Sequence, residues 1–584
     1  MRTRRERGLL LASAITTVYL VSSYFNTILP QVPPSSLQVP VDWHTFRDDG
    51  LLEFNPEGNH PIFELIRRAE VAWKDKLDRA STTFPQAVSE YRRRYKRDPP
   101  KGFDAWWNYV RNHAVQLPDE YDQIYADLEP FWGIELRDLL AITSELEVKA
   151  DSFALGKTAN SKLHVVNASF APGLSPELVD HYLMGAKHAI NFLDDIDELL
   201  PPFRAVFSPY DVPSRLSDHF VKDAARRASA EKQYIRRKDL PKVDRIGWTS
   251  ACAPNSPGRN TSINIDSDTP QKTRKTFIHD HKLAMDPCLH PRHFWQHAQF
   301  IWDGEGPTPE QDLAPLFSYS STTVHHDICV PMPYLWVADT HDPEWDDKAD
   351  GRLSWRGTAT GISQWGRSAG IGMRLESSLR IRLVQLANDL KGAVSILSPV
   401  KSETEPLGEP IDVPKSTLNP GIMDVGFTDG FMMCDPALCE YLRKTMPWRE
   451  YQNLEQAGQY KYVMDVDGNG WSGRFERLMM SKSLVFKATL YTEWYNDRIA
   501  PWVHYIPVQL DLSDLHDALV FFRGDETGAG AHEDLARKIA AAGRVWSKTF
   551  WRKEDMHAYF YRLILEYARL MSEDRDAMSY REDR

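Results

Sequence analysis

Positive charge is in deficit: the chain sets 70 Lys and Arg against 82 Asp and Glu, for a net charge of −12. Tracking a nucleic-acid backbone needs a dominant basic face, so no nucleic-acid partner is expected. Cysteine is scarce as well. Five in 584 residues allow at most two internal disulfides. Cys434 and Cys439 flank a short turn, and Cys252 and Cys288 bracket a loop-rich segment; both pairs stand as open possibilities. Cys329, within Ile328-Cys329-Val330, reads as a buried free thiol. His290, His293 and His297 lack partner cysteines and the H-E-x-x-H spacing of a zinc helix, which favours polar or packing roles. The C-terminal Arg581-Glu582-Asp583-Arg584 is not a retrieval signal of KDEL type.

What is present is ordinary globular composition, 42% hydrophobic and 26% charged, enough for two large domains. The 18 Trp suit sugar-stacking surfaces, although core packing is the commoner use of any one of them. Arg2, Arg4, Arg5 and Arg7 precede an uncharged, mostly apolar run over residues 8–29. Its length predicts a type II signal-anchor helix with a cytosolic N-terminus and a lumenal body. A cleaved signal peptide is the alternative, but the run exceeds a signal h-region and no small-x-small site closes it. The sequons Asn167-Ala168-Ser169 and Asn260-Thr261-Ser262 agree with a lumenal body.

Along the body, residues 61–146 carry apolar positions at helix spacing, among them Ile62, Phe63, Trp106, Trp107, Leu128 and Phe131. Over residues 161–207 strand and helix signals alternate, which argues for an α/β fold. Residues 222–275, polar and broken by prolines, and residues 396–420 read as exposed loops. Residues 342–351 read as a polar connector, and residues 534–571 as two long amphipathic helices forming a structural cap.

The most informative stretch follows a strand-like run, Tyr460-Lys461-Tyr462-Val463-Met464. It continues as Asp465-Val466-Asp467-Gly468-Asn469-Gly470-Trp471-Ser472-Gly473-Arg474 and enters a helix-like segment carrying Arg477. Backbone amides freed by glycines, with guanidiniums at a helix start, form a cradle for a phosphate or diphosphate. Two other readings compete. Asp465, Asp467, Asn469, Gly470, Trp471, Gly473 and Glu476 match the EF-hand loop pattern. The alternative function is therefore a calcium-binding, lectin-like or scaffolding protein with its loop at 465–476. The strand-like entry and the polar Ser472 speak against it, and no second such loop is seen. Asp465-Val466-Asp467 also matches a metal-diphosphate D-x-D element, a triplet common by chance.

The segments that continue from this stretch are Ser481-Lys482-Ser483-Leu484-Val485-Phe486-Lys487, Glu493-Trp494-Tyr495, Pro501-Trp502-Val503-His504-Tyr505-Ile506-Pro507-Val508 and Asp511-Leu512-Ser513-Asp514-Leu515. They resemble the family 90 glycosyltransferases, which comprise fungal capsule-associated proteins, β-xylosyltransferases and the animal protein O-glucosyltransferases (Rumi-like). Leu353-Ser354-Trp355-Arg356-Gly357-Thr358-Ala359-Thr360-Gly361 is similar to the family's aromatic-Arg-Gly-Ser/Thr donor loop. His325-His326-Asp327 with Ile328-Cys329-Val330-Pro331 resembles its D-I-x-x-P segment. The resemblance implies a GT-B arrangement, two Rossmann-like domains facing a cleft, and inversion at the anomeric carbon. On this reading residues 1–29 are tail and anchor helix, 30–60 a Pro-rich stem, and 61–340 an acceptor-side α/β domain holding the catalytic base. Residues 341–571 are then the nucleotide-sugar domain with its C-terminal helices, and 572–584 a polar tail. The missing retrieval signal, which the animal O-glucosyltransferases usually carry, points to the Golgi membrane rather than the endoplasmic reticulum.

Sugar transfer needs a base for the attacking hydroxyl, charge stabilisation on the leaving diphosphate, and exclusion of water. The resemblance assigns the base to Asp211, in an Asp-x-Pro loop after the strand-like Phe203-Arg204-Ala205-Val206-Phe207; from the residues alone, a turn-former ahead of Pro213 competes. Asp194-Asp195-Ile196-Asp197-Glu198 is the weaker candidate, better read as a solvated acidic turn. For the leaving group Arg474 is the first choice, since a guanidinium matches a phosphate bidentately. Gly470, Trp471, Ser472 and Gly473 complete that loop, and the resemblance adds Arg356, Gly357, Thr358 and Arg367, with Arg374 as a substitute for Arg367. Arginines and loop amides replace a metal here, so no metal and no cofactor are expected. The expected activity is transfer of xylose or glucose from a UDP-sugar to a glycan or, second, a glycoprotein hydroxyl. The expected partners are that donor, that acceptor and a membrane crossed by one helix.

Overall fold

In the computed structural model, the described residues are 43–582, apart from 150, 261–273, 302–305, 334–335, 338, 340, 362–376, 400–402 and 432–435. The expected anchor helix, most of the stem, the Asn260 sequon beyond its first residue, Cys434, Arg367 and Arg374 lie outside them. Among the described residues no helix is long and apolar enough to cross a membrane.

Two five-stranded sheets carry the α/β fold. The first contains β1 (Ser152–Lys157), β2 (His164–Ser169), β3 (Phe203–Phe207), β4 (Leu316–Ser318) and β5 (Ile328–Cys329), in the order β2-β1-β3-β4-β5. Its first two pairings are antiparallel and its last two parallel. The second contains β6 (Asp350–Ala359), β7 (Met423–Phe431), β8 (Tyr460–Val466), β9 (Leu484–Ala488) and β10 (Ile506–Pro507), in the order β7-β6-β8-β9-β10, parallel throughout. Strands buried on both faces read as apolar runs rather than alternations. Every residue of Leu484-Val485-Phe486-Lys487-Ala488 is indeed buried, Lys487 only because Asp465 neutralises it from the neighbouring strand at 2.9 Å.

Five helices, Pro61–Asp78, Phe84–Tyr95, Phe103–Asn112, Asp122–Trp132 and Leu136–Glu147, precede the first sheet. The closing helices run over Glu533–Phe550 and Lys553–Leu570. The last one joins the opening helices and the first sheet. The Trp106 indole donates to the Ala558 carbonyl at 2.9 Å, and Phe317 meets Tyr567 edge-on at 4.9 Å. Two expected loops are corrected. Residues His219–Ala230 form a helix that buries Val221 and Ala225, started by Asp218 accepting from the Phe220 amide. Within residues 396–420 lie a strand, Ile411–Pro414, and the start of a helix, Lys415–Ile422, that buries Leu418 and Ile422. Both segments are short and proline-bearing or strongly charged, which hides their apolar spacing. Cys252 and Cys288 form a disulfide; Cys439 is also disulfide-bonded, and Cys329 is a buried free thiol.

Candidate active site

Four loops that leave the carboxyl ends of parallel strands meet at one place, the usual site of ligand clefts in open α/β sheets. After β3 comes the loop with Asp211; after β6, Thr360 and Gly361; after β8, residues 467–474; after β9, residues 489–495. The contact between the first and third is the tightest. A Cβ on Gly470 would lie 2.1 Å from the Asp211 carbonyl oxygen and 2.9 Å from its Cβ, so only glycine admits this approach. Asp211 itself is exposed. Its carbonyl accepts from Ser320 at 3.5 Å, and its charge reaches Tyr491, whose hydroxyl is held well above its ordinary pKa first by burial and then by Asp467 and Asp211.

The β8 loop is braced from several sides. Asp465 accepts from Ser472 Oγ and from Lys487 Nζ. Burial opposes the Lys487 charge, but Asp465 and Glu493 beside it raise the pKa above the ordinary value. Asp467 Oδ2 accepts from the Leu490 amide at 2.8 Å and lies 3.1 Å from His297 Nε2. Because the Gln299 amide donates to His297 Nδ1, Nε2 carries the proton and donates to Asp467. Asn469 Oδ1 accepts from the Gly361 amide at 2.8 Å, tying the loop to β6.

The arginines gather on the β6 side. Arg474 donates to the Arg356 carbonyl at 2.7 Å and the Val466 carbonyl at 3.3 Å, with its guanidinium 5.3 Å from the Trp355 ring centre. Burial, partly offset by Asp465, lowers its pKa. Gly357 belongs to the same contact, since a Cβ there would meet the Trp355 ring at 2.9 Å and Arg474 Nη1 at 3.3 Å. Arg356 points its guanidinium to Asp424, with Nη2 2.8 Å from both carboxylate oxygens and Nη1 2.7 Å from the carbonyl. For Arg356 to hold a diphosphate it must exchange that partner. Thr358 contributes its carbonyl to Arg380 Nη1 at 3.0 Å, and Arg380 Nε donates to the Asp467 carbonyl at 3.0 Å. Burial, then Arg474, brings the Arg380 pKa down to about 9.

The structure thus brings together Asp211, Arg356, Gly357, Thr358, Gly470, Trp471, Ser472, Gly473 and Arg474. It adds Arg380, Asn469, His297 and Lys487, which were not singled out for this role. Arg380 stands among several arginines of one helical segment, and only the fold tells which of them faces the loop. The weaker acidic candidates are structural: Asp195 pairs with Lys553 at 2.7 Å and Asp197 is buried, accepting from the Leu163 amide at 2.9 Å.

The EF-hand geometry is not adopted. Its entering helix is replaced by β8, Glu476 accepts from the Val337 amide at 3.1 Å, and Asp465 is bound to an ammonium. Among the described residues no group of three or more His, Cys, Asp and Glu side chains is placed to hold a metal ion.

Residues 434–579 match the family model "Glycosyl transferase family 90". Over these residues the chain is of the family 90 glycosyltransferase type. Protein O-glucosyltransferase 1 of Rattus norvegicus is 28% identical over 259 residues, which is 44% of this chain and 58% of the relative. Protein O-glucosyltransferase 2 of Danio rerio is 35% identical over 113 residues, 19% of this chain and 21% of that one. The O-glucosyltransferase rumi homolog of Aedes aegypti is 34% identical over 123 residues, 20% and 28%. The chain thus spans little more than half the length of the longest-matching of these relatives. The family 90 match begins before β8 and takes in the loop with Gly470 and Arg474, the β9 strand and the closing helices.

Proposed function

We propose that this family 90 chain transfers a sugar from a UDP-sugar to a hydroxyl of a glycan or glycoprotein, with inversion, across a GT-B-type cleft between the two sheets. The observation that carries the reading is the seating of Gly470 on the Asp211 backbone, while Arg474 of the same loop reaches β6. A carboxylate that can take a hydroxyl proton and guanidiniums that can take up diphosphate charge are thereby one short loop apart. In this reading Asp211 removes the acceptor proton as the hydroxyl attacks the anomeric carbon from the face opposite the diphosphate. Arg474 and Arg380, with the glycine-rich amides and Thr358, stabilise the charge that develops on the departing UDP; Arg356 and Arg367 are the further donor-side candidates. These groups need no metal for that role, and metal-independent transfer is part of the proposal. The relatives' printed names favour glucose over xylose as the sugar and a protein as one class of acceptor. A lumenal body anchored in the Golgi membrane by the N-terminal run completes the reading.

The test is UDP release by the full chain from a panel of UDP-sugars, with and without EDTA. Release with one donor, insensitive to EDTA, is the expected result. Calcium binding without UDP binding would overturn it in favour of the 465–476 loop alternative.

A further inference from the structure

Beside the donor loop lies a cleft walled by Tyr319, Trp336, Trp471, Trp494 and Trp551, with Glu476 among its lining residues. Trp494 and Trp551 are buried and set edge-to-face at 5.8 Å. Trp336, Trp471 and Tyr319 are half-buried. Among the described residues, Trp471 Nε1 and Glu476 Oε1 of this lining have no hydrogen-bond partner. Glu476 is 5% exposed, and its other oxygen accepts from the Val337 amide. A buried carboxyl oxygen left unpaired costs free energy unless something outside the fold completes it.

We infer that this cleft is an acceptor subsite for a neutral pyranose, whose ring stacks on the tryptophan faces while its hydroxyls satisfy Glu476 Oε1 and Trp471 Nε1. Aromatic walls bind the apolar faces of a sugar, and a hydroxyl is at once donor and acceptor, so it can pair with the Glu476 carboxyl and with the Trp471 indole N–H alike. Burial pushes the Glu476 carboxyl up to about 8, so near neutral pH it is a neutral hydrogen-bonding partner rather than a buried charge. The acceptor, not the donor, is assigned here because the loop divides the two. Arg474 turns to β6, whereas Trp471 and Glu476 line the cleft with Tyr319, Met332 and Trp336, and Tyr319 directly follows β4 of the sheet that carries Asp211. This inference rests on the transferase reading and adds the acceptor's chemical class to it.

The test uses the full chain and follows tryptophan fluorescence during titration with three neutral probes, glucohexaose, xylohexaose and mannohexaose. UDP and UDP-glucose affinities are measured by calorimetry on the same samples. The expected result is a saturable response to at least one hexasaccharide, weakened about tenfold or more in Glu476→Leu and in Trp336→Ala, with UDP and UDP-glucose affinities unchanged. Glu476→Gln, which keeps the shape and the Val337 contact, checks that the loss is not misfolding. Three results overturn the inference: no hexasaccharide response, a response only to a serine-bearing peptide, or a loss in Glu476→Leu that falls on UDP-glucose rather than on the hexasaccharide. Failure of UDP itself to bind would instead refute the transferase reading.

Discussion

Gly470→Ala is the sharpest perturbation available in this site. The added methyl would sit 2.1 Å from the Asp211 carbonyl oxygen and 2.6 Å from its carbonyl carbon. Real Cβ atoms essentially never come under 3.0 Å and ordinary contact starts at 3.4 Å, so one loop must retreat by about 1 Å, and the obstacle is backbone rather than a flexible tip. A misplacement of about 1 Å between a base and the bond it serves lowers turnover on the order of 100-fold. Overpacking of this kind destabilises a fold by about 1–3 kcal/mol, a small loss in a chain of this size. The assay is transfer turnover beside thermal melting, with Gly351→Ala as control, because nothing lies within 4 Å of a Cβ at Gly351. The expected outcome is a large fall in turnover with a modest fall in melting temperature, and no effect in the control. Unchanged turnover in Gly470→Ala would refute the argument that this contact sets the base against the donor loop.

Other outcomes follow from the same geometry. Arg474→Lys cannot span the Arg356 and Val466 carbonyls and also present a planar fork to a phosphate, so UDP affinity by calorimetry should fall about tenfold or more. Lys487→Met leaves Asp465 fully buried without its cation, which should cost about 3–5 kcal/mol in a denaturant titration. Two buried carboxyls should give a contribution to stability that declines with pH. Burial holds Glu476 at about 8 and Glu493 at about 7, against an ordinary carboxyl near 4.5. The folded state therefore keeps protons that the unfolded chain releases, and stability present below pH 4.5 is lost as pH rises toward 8. The buried histidines, held neutral, act in the opposite sense, so the test is the difference between the protein and Glu476→Gln: on going from pH 5 to pH 8 the variant should lose less, or gain more, in melting temperature.

Much of this was legible in the residues. The strand over Tyr460–Val466 is an apolar, aromatic run that stops at a glycine-rich turn, and both halves of that signal are local. The same holds for the paired closing helices, whose long amphipathic spacing survives any tertiary context. The meeting of Asp211 with Gly470, 259 positions apart in sequence, has no local signature; the resemblance to family 90 named both loops, and the strand order brings them together. Local reading misled where charge density concealed a buried stripe, as in His219–Ala230, and where proline stood inside a helix, as Pro420 does in Lys415–Ile422. The EF-hand match shows how far composition alone can stray. Asp465 and Glu476 have the right types at the right spacing, but one sits in a strand against Lys487 and the other turns toward Val337.

The central claim is that Asp211 serves as base beside a donor loop it does not itself hold. Asp211→Asn tests it most directly, with transfer turnover and UDP affinity measured on the same preparation. The account predicts a fall in turnover of at least about 100-fold, the lower end of what a general base contributes, with UDP affinity unchanged within about twofold. Turnover near that of the unaltered protein would contradict it.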